Sequence, residues 1–462
     1  MKQHKHYSSA FTIVELLIVI VVIGILAAII IVTYGGIQRQ AGGAVLKSDL
    51  SNSVGQLGID STANGTFPAS AAAANGGQGL KASPGTTYQY TYNSGDNSYC
   101  LSATSSRSGV PAYHVDSTNG GVQDGVCSGD IPPGSTLVAN QGIVTTLAGS
   151  GVQGFANGTG TDAQFQWSYG LAVDSSKNVY VADGSNYRIR KITSSGVVST
   201  FAGSGTEGTA NGTGTGAQFS YTEGVAVDTS GTVYVADSSN NLIRKITSAG
   251  VVTTLAGSTQ GSADGTGAGA QFYEPSDIVV DASGNLYVTD AENHRIRKVT
   301  QAGVVTTFAG SGAIGSADGT GTSAQFVYPE SIAIDSTGNL FVADMFGNTI
   351  RKITTVGVVT TFAGSGVAGF ADGTGTNAQF YSPAGIAIDS ANNMYVADKS
   401  NNRIRKITPA GVVTTIAGSG VAGFADGTGT NAQFMTPTGI DVDSTGTLYV
   451  ADAQNYRIRM IK

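Results

Sequence analysis

The chain has 462 residues, enough for two or three domains, and its 24 Lys and Arg against 31 Asp and Glu give a formal net charge of −7. Acids and bases are dispersed, and no cluster of Lys and Arg forms the basic patch that a nucleic-acid surface needs. The 66 glycines, abundant Thr, Ser and Asn, and only 10 prolines favour strands joined by many turns over helices or disorder.

A short basic leader (Lys2 and Lys5, with His4 and His6) precedes an apolar run over residues 11–32, 22 residues with one charge, Glu15. As a helix this run spans roughly 30 Å, the thickness of a bilayer core. A carboxylate in hydrocarbon is costly, so Glu15 marks function by default. A secretory signal peptide would be shorter and end at a small-residue cleavage site. Ala27-Ala28 offers a weak one, but the apolar run continues past it. A plain membrane anchor accounts for the length and leaves Glu15 unexplained. Beyond the run, Leu46, Leu50, Val54 and Leu57 fall on one helical face. Strand-like stretches follow at 86–92, 98–103 and 112–117. Cys100 and Cys127 read as one disulfide in an exported chain, with two free thiols as the alternative.

The stretch Ser8-Ser9-Ala10-Phe11-Thr12-Ile13-Val14-Glu15-Leu16-Leu17 resembles the start of a type IV prepilin. The resemblance implies cleavage between Ala10 and Phe11 by a prepilin peptidase and methylation of the new amine. Glu15 then neutralises a terminal amine inside a filament, since two opposite charges buried together cost far less than either alone. The family prefers Gly where this chain has Ala10. The resemblance also implies a small α+β pilin-like head, with Cys100 and Cys127 stapling its C-terminal loop. Its implied partners are the membrane, the peptidase and other pilin subunits. The expected layout is a leader at 1–10, a transmembrane helix at 11–34, a pilin-like region at 35–130 and a linker at 131–141.

The rest of the chain, 142–462, is one pattern written six times. Ala-Gln-Phe recurs at Ala163, Ala217, Ala270, Ala324, Ala378 and Ala432, with spacings of 54, 53, 54, 54 and 54. Such a period demands a repeat architecture. Each copy reads as four short strands with tight turns, and four strands repeated six times make a β-propeller. The pattern begins with a fourth strand, Ile143-Val144-Thr145-Thr146-Leu147, and ends on a third, Arg457-Ile458-Arg459-Met460-Ile461. The first segment therefore completes the last blade and closes the ring. The units resemble NHL repeats, most closely at Asn285-Leu286-Tyr287-Val288-Thr289-Asp290-Ala291-Glu292-Asn293-His294-Arg295. The fold class predicted is mainly β: a six-bladed NHL-type propeller after a pilin-like helix and small head.

Six copies can be compared with one another. The Asp ending each second strand (Asp183, Asp237, Asp290, Asp344, Asp398, Asp452) and the Arg in each third (Arg190, Arg244, Arg297, Arg351, Arg405, Arg459) recur throughout, as turn caps and salt bridges would. The Asp-Gly-Thr-Gly loops led by Asp264, Asp318, Asp372 and Asp426 read as turns. A Ca²⁺ alternative is weakened by Asn157 and Asn211 in the first two copies and by one acid per loop, against six to eight oxygens. No other cofactor is expected.

Variation gathers before the first strand and between the second and third strands. Trp167, Tyr169, Tyr187, Tyr221, Glu223, Tyr273, Glu274, His294, Tyr328, Glu330, Phe346 and Tyr381 fall there. Both connections of a four-stranded blade emerge on one face, so this mixture suits a glycan or protein ligand at one mouth of the ring. Packing of the loops on one another is the alternative reading. Catalysis finds little support: His294 is the propeller's only histidine, and no Ser-His-Asp set assembles. Glu223, Glu274, Asp277, Glu330 and Asp441 would make a metal-dependent lactonase or lyase site only by meeting on the axis, and they are expected not to. The sequence thus predicts a minor or tip pilin-like subunit, first in the membrane, then at the cell surface, displaying a propeller for adhesion. A pseudopilin or membrane-bound secretion component is the second reading and an enzyme the third.

Overall fold

The computed structural model describes residues 142–462 together with Leu46 and four strands of the N-terminal region. The chain divides into two compact units, Met1–Val138 and Ala139–Lys462. The leader, the apolar run, Glu15 and Cys127 lie outside the described residues. So do the transmembrane helix and the disulfide expected from them. Among the described residues no helix is long and apolar enough to cross a membrane.

In the first unit, strands Thr86–Asn93, Ser98–Ser105, Tyr113–Asp116 and Gln123–Asp124 form an antiparallel meander in chain order. Leu101, Ser102 and Ala103 of the second strand are all buried, so this strand is covered on both faces there.

The second unit is a closed ring of six sheets, each with its first strand innermost and the inner strands neighbouring one another around the axis. In the first blade the strands run Ser168–Val173, Val179–Asp183, Arg188–Ile192 and Val197–Ala202 from the axis outward. The sheets have five strands rather than the four read from sequence. The fifth is a two-residue outer strand, Gly158–Thr159 in the first blade, formed by the Gly-Thr of the loop read as a plain turn. Two residues carry no periodicity, so nothing in the sequence marks it as a strand. The last blade takes Ile143–Ala148 as its fourth strand, in register with Arg457–Ile461 on one side and Gly427–Thr428 on the other. The hydrophobic cores lie between blades. Ala172 and Tyr180 of the first blade, for example, pack with Phe219, Val225 and Val235 of the second.

Each blade is built on a buried arginine. Arg244 donates to Asp237 at 2.7 Å, to Gln218 O at 3.0 Å and to Asn211 Oδ1 at 3.0 Å. Its guanidinium lies 5.1 Å from the ring centroid of Phe219, the Phe of Ala-Gln-Phe. Asp237 in turn accepts from Ser220 N and from the Asn240 side chain. One ion pair thus pins the crossover loop that leads into the first strand, the second–third connection, the third strand and the outer loop that leads into the two-residue strand. All six arginines and their aspartates are fully buried. The acids of the Asp-Gly-Thr-Gly loops serve this hub: Asp264, Asp318, Asp372 and Asp426 pair with Arg297, Arg351, Arg405 and Arg459 at 2.6–2.9 Å. Asn157 and Asn211 accept the same bond in the first two blades. The loop acid is an arginine partner, which explains why Asn substitutes for it.

The fourth blade departs from the pattern. Gly347 stands where the other blades have the Asn, and the Arg351–Asp344 pair opens to 3.6 Å. Asp344 keeps the Val327 N bond that every blade has and gains a second backbone donor, Tyr328 N, in place of the Asn side chain. Removing one partner of a buried pair leaves an uncompensated charge and costs about 3–5 kcal/mol. Urea denaturation is therefore expected to show that loss for Arg244→Leu, and a smaller one for Arg351→Leu, whose ion pair is already loosened and whose aspartate has a second backbone donor.

Candidate functional site

In every blade the crossover loop and the second–third connection meet on one face. Backbone bonds join them: Gly184 N to Trp167 O, Ser239 N to Ser220 O, Glu292 N to Tyr273 O, Met345 N to Tyr328 O, Ser400 N to Tyr381 O and Gln454 N to Met435 O. The inner strands start from this face. Their second residues ring the axis as Tyr169, Glu223, Ser276, Glu330, Ala384 and Thr438, and all six line one cavity. At ≈ 40 Å³ it is far smaller than the ~300–1,000 Å³ that encloses a drug-sized ligand.

The third residues form a tighter ring: Gly170, Gly224, Asp277, Ser331, Gly385 and Gly439. Glycine is required where neighbouring strands touch, since a Cβ on Gly170 would strike the Glu223 backbone and one on Gly439 the Tyr169 backbone. Blades three and four escape this as a matched pair. Ser331 Oγ donates to Asp277 Oδ2 at 2.6 Å, Ile332 N to the same oxygen at 3.0 Å, and Ile278 N to Oδ1 at 2.8 Å. Burial pushes the Asp277 carboxyl up to about 7; these three donors oppose the shift and the Glu330 charge adds to it. Asp441, deeper in the last blade, bridges to Val173 N at 2.8 Å and is pushed by burial to about 6.

Glu223 and Glu330 have no hydrogen-bond or ion-pair partner among the described residues. Burial raises both carboxyls, Glu223 further through the charges of Glu330 and Glu274, while Lys399 opposes the shift in each. Around them stand phenols. Tyr169 and Tyr221 share a hydroxyl hydrogen bond, with ring centroids 5.3 Å apart. Trp167 stacks on Tyr169 at 6.5 Å, and Tyr328 packs on Phe346 at 5.0 Å. Burial raises the pKa of both Tyr169 and Tyr328; the Tyr221 hydrogen bond follows for Tyr169 and the Glu330 charge for Tyr328.

Tyr187, His294 and Tyr456 occupy the left-handed turn position at φ 52–53°. Asn241, Asn348 and Asn402 hold that position in the other blades and accept from the backbones of Glu274, Ser382 and Thr436 at 3.0 Å. The aromatics give up that bond and take a backbone region bulky residues rarely adopt. Not every sequence candidate enters the cavity. Glu274 is exposed outside it, and Tyr273 and Tyr381 stay in their crossover loops, Tyr381 at 47 % exposure.

Contrary to expectation, Glu223, Asp277 and Glu330 do converge on the axis, because each sits at the second or third residue of an inner strand. Glu274 and Asp441 lie outside the cavity lining. Among the described residues no three His, Cys, Asp or Glu side chains come close enough to hold a metal ion. Sequence reasoning missed Ser276, Ser331 and Thr438 as parts of the mouth. For Ser331 the signal was the glycine column, which only Asp277 and Ser331 break.

An unfolded Asp titrates near 3.9, so between about pH 4 and 7 native Asp277 keeps a proton the unfolded chain has lost. Stability conferred by this group is complete in acid and lost as pH rises through its native pKa. Urea midpoints at pH 5 and pH 8 are expected to differ less in Asp277→Asn than in the parent chain. An unchanged difference would assign the slope to other carboxyls.

The fold and mouth define a closed six-bladed propeller of NHL repeats. Residues 219–246, 272–299 and 380–407 match the NHL repeat, and residues 5–31 match the prokaryotic N-terminal methylation motif. The chain is thus a prepilin-type methylation motif joined to an NHL-repeat propeller. It is similar to NHL repeat-containing protein 2 of Bos taurus, 30 % identical over 326 residues, covering 62 % of this chain and 45 % of that protein. The chain spans less than half the length of that relative. Two solved structures share the fold. A Bacteroides thetaiotaomicron protein of unknown function has 21 % identity and a TM-score of 0.57, over 79 % of this chain and 84 % of that one. An auxiliary nutrient binding protein from Bacteroides ovatus has 17 % identity and a TM-score of 0.54, over 79 % and 83 %.

Proposed function

We propose that this chain is a minor or tip subunit of a type IV pilus-like filament, whose propeller binds a partner protein outside the cell. The prepilin-type motif supports the delivery half of this reading. In it, Ala10-Phe11 is the processing site, Glu15 the assembly residue, and the precursor starts in the membrane. The observation that carries the binding half is the pair Glu223 and Glu330, raised by burial at the mouth, with Lys399 opposing the shift but no ion pair formed among the described residues. Two such carboxylates among Tyr169, Tyr221 and Tyr328 suit an ammonium or guanidinium, held by charge from the acids and by the faces of the rings. The size of the cavity favours the tip of a Lys or Arg side chain over a whole sugar. Adhesion through a basic protein segment follows. The metal-dependent hydrolase or lyase reading ranks lower because no three His, Cys, Asp or Glu side chains are grouped to hold a metal ion among the described residues.

Two measurements test the halves separately. The mass of the mature N-terminus is expected to start at Phe11; an intact leader, or loss of a longer segment, would leave a membrane-bound secretion component as the reading. The full chain in detergent is expected to bind Lys- and Arg-rich peptides over acidic and neutral ones. Glu330→Gln, which keeps the shape of the mouth, should weaken that binding by about tenfold, the loss of one charge-assisted contact. Equal binding of acidic peptides, or indifference to Glu330→Gln, would remove the mouth from the binding mechanism.

A further inference from the structure

The outer loops divide the ring into two halves. In blades five, six and one the loop reads Gly-Val-x-Gly-Phe-Ala, at 366–371, 420–425 and 151–156. In blades two, three and four, Thr209, Ser262 and Ser316 replace the Phe. The backbone follows the sequence. Ala156, Ala371 and Ala425 bridge Gln164, Gln379 and Gln433 antiparallel, whereas Glu207, Gln260 and Ile314 bridge Phe219, Phe272 and Phe326 in parallel. Three contiguous blades thus carry the same exposed unit, with Val152, Val367 and Val421 exposed by 59–62 % and Phe155, Phe370 and Phe424 by 42–44 %.

Each ring supports a guanidinium. Arg188, Arg403 and Arg457 lie 3.7–3.8 Å from the centroids of Phe155, Phe370 and Phe424. Each arginine spends N–H groups on backbone carbonyls: Asn186 O and Ser204 O, Asn401 O and Ser419 O, Asn455 O and Ser150 O. None has a carboxylate partner among the described residues, and each is partly exposed. The arginine also goes where the Phe goes: Leu242 and Thr349 replace it in blades two and four, and only Arg295 remains in blade three. Asn186 donates to Gly154 O, and Asn401 and Asn455 make the same bond to Gly369 and Gly423, so these loops sit on the face of the axial mouth.

We infer that this Val-Phe-Arg arc binds an acidic polysaccharide built of uronic acid units. Its charge is the complement of that polymer, because three guanidiniums with spare donors await carboxylates. Each unit pairs an apolar ring with a cation, as a uronate pairs an apolar sugar face with a carboxylate. Three identical units in contiguous blades suit a ligand that itself repeats, and the linked contacts multiply weak single affinities. This site is separate from the acidic mouth, which would repel such a polymer.

Affinity electrophoresis of the full chain in detergent, through gels containing alginate, tests the assignment. Alginate is expected to retard the parent chain, and neutral dextran is not. The triple variant Arg188→Gln, Arg403→Gln, Arg457→Gln should lose at least about tenfold in affinity. Loss of the backbone bonds these arginines make is checked by a second triple variant, Val152→Ser, Val367→Ser, Val421→Ser, which touches only exposed side chains. It should bind several-fold more weakly with an unchanged melting temperature. No retardation by alginate, or retardation unaltered in both variants, would overturn the inference. Equal retardation by dextran sulfate or by polyglutamate would overturn it too, by reassigning the arc to charge alone or to acidic peptides.

Discussion

The propeller depends on one interaction repeated six times, an arginine buried against an aspartate and a phenylalanine. Burying an ion pair brings little net stability, because desolvation offsets most of the attraction. What it supplies is connectivity. Arg244 alone reaches the second strand, the crossover loop and the outer loop, so three segments far apart in sequence share one anchor. A side chain with fewer donors, or a flexible point charge, would not span that geometry. The Nε of all six arginines finds no hydrogen-bond partner, and the guanidinium lies near a Phe ring instead. The hub is held by direction as much as by charge.

A scaffold fixed this way leaves its loop tips free to differ. The mouth acids sit at the second residue of inner strands whose third residue is constrained by close strand contact. Variation is therefore free in one ring and coupled in the next, where Asp277 needs Ser331. The fourth blade shows the converse. With Gly347 in place of the hub Asn, the ion pair loosens and Phe346 stands 57 % exposed beside Tyr328. Exposed aromatic surface here is gained where the repeated anchor is relaxed.

Much of the ring was legible in the sequence because it is periodic. The spacing of Ala-Gln-Phe fixed six blades, and the phase of Ile143–Ala148 and Arg457–Ile461 foretold closure. The fifth strand was not legible, since Gly158–Thr159 is defined by pairing with Val197 and Val198 and not by its own pattern. The mouth was half legible. Tyr169, Glu223 and Glu330 stood out as differences between copies, but convergence is a property of the axis and no local spacing encodes it. Asp277 was read as one acid among five. Its meaning came from a partner 54 residues away that changed with it.

The closing strand has a mechanical side. Ile143–Ala148 is the first segment of the ring and lies between Arg457–Ile461 and the short strand Gly427–Thr428 of the last blade. Tension arriving from the N-terminal direction enters the ring through this segment. It is paired on both flanks, and Thr146 adds bonds to Asp426, itself a partner of the buried Arg459. Load on this segment is thereby passed to the hub of the final blade rather than to a lone edge strand, so the point where the ring is joined is also where it is braced against being pulled open.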